Sequence, residues 1–468
     1  MVAQVAAVGA ATDSSPVFTQ RIFQQLVLNN HPVVQQARLI SEAARADVLQ
    51  SLGKFDPLLE AAFDRKEFGN RDYYSNWSNQ LKVPLWLAGA DLKIGYDRNT
   101  GENVNPQYIT PDQGLSGVGI TVPLGQGFLI DARRNTLRQS RAMLRYADAE
   151  KIKQMLFVWY SAVTDYWTWY LTYSEYQLLK EGVQLASTRF AAAKGQTDIG
   201  DTPPIDTVEA KITVQEREIE LTKLQVELDN RRLILSNYLW DEDGNPLELP
   251  GGAVPEQPAE SALRPEQVRL DSLVGFAAES HPELLKMRAD STRLVIERSF
   301  RREMLKPTIN LSGTLIAARD RLGPITPKYY DFGWRNYKVG VDVAVPLFLR
   351  AERGKLKQVV IRQDQLRLNL QQTNRDIRNE LITVYNTLNA YKSQLIIQGA
   401  SIENQQRLLD AEQQKLQLGE STLFLVNSRE TKLIDMKIKR ASIIAGFQKT
   451  LASLYYKAGT GPTGFIPN

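Results

Sequence analysis

Two long segments of the chain carry apolar side chains in a regular helical rhythm. Proline is absent between residues 124 and 202 and between residues 347 and 461, so neither segment contains a helix breaker. The apolar positions of the second segment are spaced by four and three residues and then by seven, at Ile377, Leu381, Val384, Leu388, Tyr391, Leu395, Ile402, Leu409 and Leu416. The first segment keeps the same spacing at Ile152, Leu156, Trp159, Val163, Tyr166, Tyr170 and Tyr173. This period of 3.5 residues is typical of a coiled-coil seam, and it predicts helices over 131–194 and 355–418, each about 95 Å long.

Between these helical segments the period changes to two, as in a β-strand with one apolar face. The clearest example alternates Tyr337, Val339, Val341, Val343 and Val345 with Lys338, Gly340, Asp342 and Ala344. Similar runs begin near Leu59, Val118 and Ile309. Strands of about nine to eleven residues with one apolar face fit a membrane barrel, and a soluble hairpin has the same pattern. In a barrel, we expect the three valines at 339, 341 and 343 to face lipid and the polar positions to face the lumen.

The chain contains one internal duplication, which organises the whole sequence. Asn29-Asn30-His31-Pro32 corresponds to Glu279-Ser280-His281-Pro282, and Val122-Pro123-Leu124 corresponds to Val345-Pro346-Leu347. The two histidines are 250 residues apart, whereas Pro123 and Pro346 are 223 residues apart, so the first repeat holds 27 additional residues, which we place within 69–113. We predict a first repeat over 1–240, a Pro-rich linker over 241–265 and a second repeat over 266–468. Each repeat runs through a helix, strands, a very long helix, a tip and a returning helix.

Composition narrows the possible functions. The chain has 57 Lys plus Arg against 53 Asp plus Glu, a net charge of +4, and this even mixture argues against a nucleic-acid partner. Cysteine is absent and only His31 and His281 occur, so thiol chemistry is excluded. Because both histidines precede proline in the same repeat context, we interpret them as helix-start residues rather than as metal ligands. No metal and no other cofactor is predicted.

No arrangement of residues indicates an enzyme. Gly125-Gln126-Gly127 leads from a predicted strand into a helix, but Ile130 stands where a dinucleotide-binding loop needs its third glycine. We therefore interpret this segment as a plain strand-to-helix turn. The first long helix also carries an aromatic cluster. Its rings offer stacking surfaces for a ligand, but we assign the cluster to core packing because several members lie on the seam. Its members are Phe157, Trp159, Tyr160, Tyr166, Trp167, Trp169, Tyr170 and Tyr173.

The first residues carry no complete secretion signal. The first basic residue is Arg21, and the apolar run from Val5 to Ala11 is short and has no charged lead. No apolar run approaches the ~18–20 residues of a membrane helix. Two explanations stay open, a cytosolic protein or a numbering that starts after processing.

These features together resemble the TolC-type outer-membrane efflux and secretion channels, over nearly the whole chain from Thr19 to Gly459. The resemblance rests on the duplicated His-Pro sites, the two Val-Pro-Leu strand ends and two helical tips. The tips read Lys194-Gly195…Ile205-Asp206-Thr-Val-Glu209-Ala210 and Leu418-Gly419-Glu-Ser-Thr-Leu423…Arg429-Glu430. The order and spacing of these motifs, repeated twice, are more specific than any single motif.

The resemblance implies a mainly α fold with a β-barrel part. Three identical chains would each give four strands to a twelve-stranded barrel in the bacterial outer membrane, continued by a coiled-coil α-barrel across the periplasm. The additional residues leave open whether the first repeat adds a hairpin, at about Leu81–Tyr96. The implied function is a passive exit duct of a tripartite efflux pump or a type I secretion system. Its implied partners are outer-membrane lipid, a periplasmic adaptor (membrane fusion) protein and an inner-membrane pump.

The resemblance also places functional residues at the two tips, where the family closes its periplasmic mouth and meets the adaptor. The implied entrance or gate consists of Asp206, Glu209, Leu425, Ser428, Arg429 and Glu430. The implied adaptor contacts are Gly195, Gly200, Gly419, Ser421 and Leu423. At the second tip, Leu425 and Ser428 stand where aspartates would ring the pore. Asp206 also fits an ordinary acidic residue in the first turn of a helix that follows Pro203-Pro204, and the two interpretations are compatible.

The competing hypothesis is a soluble coiled-coil scaffold with small β-hairpins. The strand register separates the two hypotheses. A membrane conduit needs an apolar row and a polar row on every strand, and a scaffold has no such requirement. Two hairpins in one chain do not close a sheet, and lipid does not tolerate open edges, so the conduit also requires several chains.

Overall fold

The structure, a computed structural model, describes residues 17–200, 203–259, 269–318 and 332–461. Its α-helices in chain order are α1 Gln20–Asn30, α2 Pro32–Leu52, α3 Ala132–Asp198, α4 Pro204–Ser236, α5 Leu270–Ser280, α6 Pro282–Glu303, α7 Arg350–Gln417 and α8 Leu423–Ala458. Its strands are β1 Val17–Phe18, β2 Leu58–Phe68, β3 Arg71–Pro84, β4 Asp91–Thr100, β5 Leu115–Pro123, β6 Val254–Pro255, β7 Thr308–Ala318 and β8 Tyr337–Ala344. The two predicted long helices are thus present as α3 and α7. The first sixteen residues, on which the question of a secretion signal depends, lie outside this description.

The chain forms two compact units. One, the helical unit, comprises Met1–Leu39, Ala149–Leu284 and Gln372–Asn468. The other, the strand unit, comprises Ile40–Asp148 and Leu285–Gln371. No helix in the described ranges is long and apolar enough to cross a membrane.

The core of the helical unit confirms the predicted coiled-coil seams. Leu381 and Leu388 on α7 are buried, as are Val163 and Tyr166 on α3. The remaining seam positions are buried or half-buried, and all of them except Ile152 and Leu156 lie in the same core or in a smaller cluster around Leu409. Most of the aromatic cluster of α3 is buried here too, so the core-packing assignment is confirmed for those members, while Phe157 is exposed.

The linker between the repeats is fixed to the first long helix. Its β6 pairs in parallel with β1. The Tyr166 hydroxyl donates to the Phe18 carbonyl of β1 at 2.7 Å and accepts from the N–H of Glu256, directly after β6, at 3.1 Å. Leu249 and Ala253 of the linker enter the helical core. Because these bonds tie the start of the chain and the linker to α3, they close the first repeat around its own helical hairpin. Residues 260–265 of the predicted linker lie outside the described residues.

Both His-Pro sites start a helix in the same way. The His31 Nδ1 accepts the backbone N–H of Val33 at 3.2 Å, and the His281 Nδ1 accepts that of Glu283 at 3.2 Å. Each imidazole thus satisfies a free N–H of the first helical turn, with proline at the first helical position. The helix-start interpretation of both histidines is confirmed.

Acid should weaken the second of these helix starts. Burial lowers the pKa of His281 from 6.5 to about 4, so the unfolded chain binds more protons than the folded chain between these values. The stabilisation is complete above pH 6.5 and is lost as the pH falls towards 4, by about 2 kcal/mol at pH 5. Guanidinium unfolding at pH 7.5 and pH 5 should show this loss. His281→Asn keeps an acceptor at the helix start without titrating, so it should lose less stability at pH 5, and an unchanged pH dependence would contradict the assignment.

One antiparallel sheet of six strands, in the order β2-β3-β4-β5-β7-β8, forms the β part of the strand unit. β2 and β7 each have 11 residues, and they begin 250 residues apart, at Leu58 and Thr308, which is the spacing of the two histidines. β5 and β8 end at the matching Val-Pro-Leu motifs. The additional hairpin β3–β4 therefore occupies the predicted insertion, and the turn of this hairpin lies within the proposed Leu81–Tyr96 segment. The described part of one chain thus contributes six strands to the sheet, whereas the resemblance implied four.

The glycine-containing segment before α3 is a close turn between chain segments. The Gln126 N–H donates to the Pro307 carbonyl at 2.9 Å, and a Cβ on Gly125 would stand 2.0 Å from the same oxygen. Backbone therefore occupies the space that a phosphate would need, and the strand-to-helix interpretation is confirmed.

Candidate functional site

The six-stranded sheet has one apolar face that crosses every strand. Directly paired residues form an unbroken apolar row of Leu59, Leu81, Ile94, Val118, Leu315 and Tyr337. A second row on this face, two positions away, consists of Val83, Leu92, Ile120, Gly313 and Val339. Val339, Val341 and Val343 are 61, 60 and 62% exposed. An apolar surface this extensive and this open is characteristic of a binding or membrane-contacting face.

The opposite face of the same sheet is polar. The row between the two apolar rows consists of Leu58, Lys82, Lys93, Gly119, Thr314 and Lys338. Asp342 lies on this face beside Asn310. Polar side chains also bond to one another across the strands, as between the Ser78 hydroxyl and Asp97 at 2.7 Å. The sheet therefore has one face suited to hydrocarbon and one suited to water, and the predicted lipid-facing valines lie on the former.

A second candidate site lies at the two helical turns of the helical unit. The first turn follows α3, where Gly200 has a φ of 77°, and the second follows α7, where Gly419 has a φ of 77°. This backbone conformation favours glycine and is the common way to end a helix. Gly195, expected from sequence to mark the first tip, lies inside α3 instead, because the helix continues to Asp198. Gly200 is therefore the structural counterpart of Gly419.

Side-chain hydrogen bonds hold each turn. At the first turn, the hydroxyls of Thr197 and Thr207 lie 2.8 Å apart and join the two helices. At the second, the Ser421 hydroxyl donates to Glu412 at 2.6 Å, and Thr422 begins α8 by accepting the N–H of Leu425 at 3.4 Å. Ser421 and Leu423 are half-buried, so much of each side chain serves the turn itself.

Four exposed large apolar residues at these turns were not selected from the sequence. Ile199 and Ile205 flank the first turn with 79 and 67% exposure, and Leu418 and Phe424 flank the second with 75 and 62%. The residues selected from the sequence included Leu423 and Leu425 but none of these four. Four large apolar side chains in water, two at each turn, point to a surface that another molecule covers.

The predicted entrance residues separate into two groups. Asp206 and Glu209 are half-buried in the first two turns of α4, and Leu425 and Ser428 are exposed near the start of α8. Arg429 is half-buried, with its Nε 3.8 Å from Glu412. Asp206 stands in the first turn of α4, where a negative charge is favoured by the helix dipole. These five residues have positions compatible with an entrance.

Glu430 differs from the other predicted entrance residues because its side chain is in the interior. It is 3% exposed, and its two carboxylate oxygens bind different arginines. Arg217 of α4 donates to Oε1 at 2.7 Å, and Arg189 of α3 donates to Oε2. Within one chain, this carboxylate is therefore an internal anchor rather than an exposed charge at the tip, unlike what its assignment to the entrance leads one to expect.

Further bonds extend this anchor into a buried polar cluster. Arg189 also donates to the Asn427 amide oxygen at 2.5 Å, and Arg217 donates to the Gly182 carbonyl at 2.6 Å. α3 and α8 approach closely at Gly182, where a Cβ would stand 2.9 Å from the Ile434 side chain. The cluster thus joins both helices of the first hairpin to the returning helix of the second.

Comparison with known proteins agrees with this architecture. Residues 273–433 match the family described as outer membrane efflux protein. CusC, whose crystal structures concern folding and transmembrane channel formation, is similar with a TM-score of 0.69 and 16% identity, over 94% of this chain and 92% of CusC. The open state of the Neisseria gonorrhoeae MtrE outer membrane channel is similar with a TM-score of 0.68 and 12% identity, over 94% of this chain and 89% of MtrE.

A third solved structure, the outer membrane protein VceC from Vibrio cholerae, gives a TM-score of 0.65 at 14% identity, over 94% of this chain and 96% of VceC. A comparison with curated protein sequences finds no match. The fold is therefore that of the outer-membrane channel proteins with duplicated long helical hairpins. Residues 273–433 are thus similar to the outer membrane efflux protein family, and the resemblance to TolC-type channels identified from sequence is confirmed.

Proposed function

We propose that this protein is a passive channel in a bacterial outer membrane, formed by three identical chains. The observation that carries the proposal is the single sheet with an open apolar face and an opposite polar face, continuous over six strands. Lipid is the environment in which such an apolar face is stable, and closure into a barrel satisfies the edge strands that lipid does not tolerate. A soluble scaffold protein does not require this alignment of apolar and polar rows across the strands. The match of residues 273–433 to the outer membrane efflux protein family supports the same conclusion, and transport rather than catalysis is the function of such channels.

We further propose that the channel is the exit duct of a tripartite efflux pump or a type I secretion system, with its helical turns in the periplasm. The exposed apolar side chains beside Gly200 and Gly419 support this role, because an adaptor protein that docks on the turns would cover them. The adaptor would in turn connect the duct to an inner-membrane pump.

Loss of these apolar side chains should impair export without affecting the isolated channel. The double variant Leu418→Ser and Phe424→Ser removes the apolar surface of the second turn and leaves Gly419 and the Thr422 helix start in place. We expect reduced export by cells and normal conductance of the purified trimer in planar bilayers. Glu420→Ser, an exposed polar change in the same turn, is the matched control and should export normally. Normal export by the double variant would exclude this turn as the adaptor contact.

The proposed entrance is a ring of Asp206 carboxylates, one from each chain, at the first turn of α4. Carboxylates around a narrow opening favour cations, so Asp206→Asn should lower the cation preference measured from reversal potentials in planar bilayers. Trimer stability should not change, because the helix start keeps its backbone bonds. Asp198→Asn, an exposed neutralisation at the end of α3, should change selectivity less. An unchanged cation preference in the Asp206→Asn variant would show that Asp206 is only a helix-start residue.

A further inference from the structure

We infer that the additional hairpin β3–β4 is part of the membrane barrel, so that three chains form an eighteen-stranded barrel rather than a twelve-stranded one. This inference rests on the proposed membrane channel and specifies its wall. The partner at each sheet edge is a second copy of this chain, with β8 of one chain beside β2 of the next. Eighteen strands imply a lumen about 1.5 times as wide as that of a twelve-stranded barrel, because barrel diameter grows roughly in proportion to strand number.

The first argument is the pattern of the hairpin itself. Leu81 on β3 and Ile94 on β4 lie in the middle of the apolar row, with Leu59 on one side and Val118 on the other. The polar row beside it likewise passes through Lys82 and Lys93 without a break in register. A hairpin that projected into water beyond the barrel would have no need of an apolar face aligned with those of its neighbours. Its alternation therefore indicates that lipid lies on the same side of all six strands.

The second argument is that the turn between β3 and β4 is anchored to the start of α3. Arg133 at the start of α3 donates to Asp91 at 2.6 Å and to the Gly89 carbonyl at 3.0 Å, and so holds the turn between β3 and β4. Gly89 is buried and close to Gly127, whose carbonyl would stand 2.8 Å from an added Cβ. This turn is therefore built into the base of the sheet, beside the start of α3.

The third argument concerns strand direction. β3 and β4 lie between β2 and β5, and every neighbouring pair in the sheet is antiparallel. Because the insertion adds two strands, β2 and β8 at the two edges still run in opposite directions. Adjacent chains therefore meet as antiparallel strands, the arrangement found in bacterial outer-membrane barrels, which have even strand numbers.

Spin labels on β4 test the inference in the trimer reconstituted in lipid vesicles. The chain has no cysteine, so Ile94→Cys and Lys93→Cys each give a single labelling site per chain, on opposite faces of the inserted hairpin. Val341→Cys and Asp342→Cys provide the reference pair on β8. Power saturation is measured with oxygen, which concentrates in lipid, and with a water-soluble nickel chelate.

The expected result is that Ile94 behaves as Val341 does, with a severalfold higher ratio of oxygen to nickel collisions than Lys93 or Asp342. Access of nickel to Ile94 while Val341 remains in lipid would place the hairpin outside the barrel and overturn the inference alone. Access of nickel to both would overturn the proposed membrane channel as well. Leu92→Cys lies on the same face as Ile94 and replaces it if the Ile94 variant does not form trimers.

Discussion

Val341→Arg is expected to destabilise the protein in membranes by about 2–4 kcal/mol if the residue lies at the bilayer midplane, and by less near an interface. The valine lies on the apolar face of β8, paired with Leu311 of β7, so in the proposed membrane barrel an arginine there would place its guanidinium in hydrocarbon. The measurement is reversible unfolding of the protein in lipid vesicles, with the yield of trimers after reconstitution as a second indicator.

The adjacent residue provides the matched control. Asp342 points to the polar face of the same strand, so Asp342→Arg should fold and assemble normally and change only conductance and ion selectivity. Equal tolerance of the two arginines would show that β8 does not lie in a membrane, and it would favour the scaffold hypothesis. A strong defect at Asp342 combined with tolerance at Val341 would reverse the assignment of the two faces.

Glu430→Gln is expected to lower the free energy of unfolding by about 3–5 kcal/mol, because it leaves buried guanidinium charges without a counter-charge. The carboxylate is almost fully buried and accepts from Arg189 and Arg217. Glutamine keeps the shape but offers one acceptor oxygen and no charge. Guanidinium unfolding of the purified protein, followed by circular dichroism of the helices, measures the loss.

Two further variants separate this charge effect from a general packing effect. Glu227→Gln breaks a half-exposed pair with Arg231 one helical turn away and should cost less than about 1 kcal/mol. Arg217→Met combined with Glu430→Gln removes one of the uncompensated cations, so the double variant should be more stable than additivity predicts. Strict additivity of the two changes would show that the three charges do not act as one cluster.

The parts of the fold that depend on hydrophobic periodicity were predictable from sequence. The seams of α3 and α7, the alternation on β8 and the duplicated helix starts at His31 and His281 all follow from local patterns. The spacing of the two repeats placed the insertion within 69–113. Whether the inserted residues form a hairpin did not follow from the sequence. Pairing of β3 and β4 depends on contacts with β2 and β5, which no local pattern specifies.

The buried cluster around Glu430 was missed for a different reason. The family resemblance assigns charged residues near the tip to the entrance. The heptad position of each charged residue instead indicates whether its side chain is buried. Glu430 lies between Val426 and Leu433 at seam spacing, and Arg217 lies seven residues after the buried Ala210. A charged residue at a seam position predicts a buried partner of opposite charge, although the identity of that partner requires the packed structure.

The position of the inserted hairpin bears on how channels of this kind diversify. Gain or loss of a single strand would reverse the direction of every later strand in the sheet. Insertion of a whole hairpin between β2 and β5 leaves the direction of both neighbours unchanged. In the proposed trimer, a gain or loss of one hairpin per chain therefore changes the barrel by six strands at once. The helices need not change at such a step, so the width of the proposed barrel and the docking surface proposed at the helical turns can evolve independently.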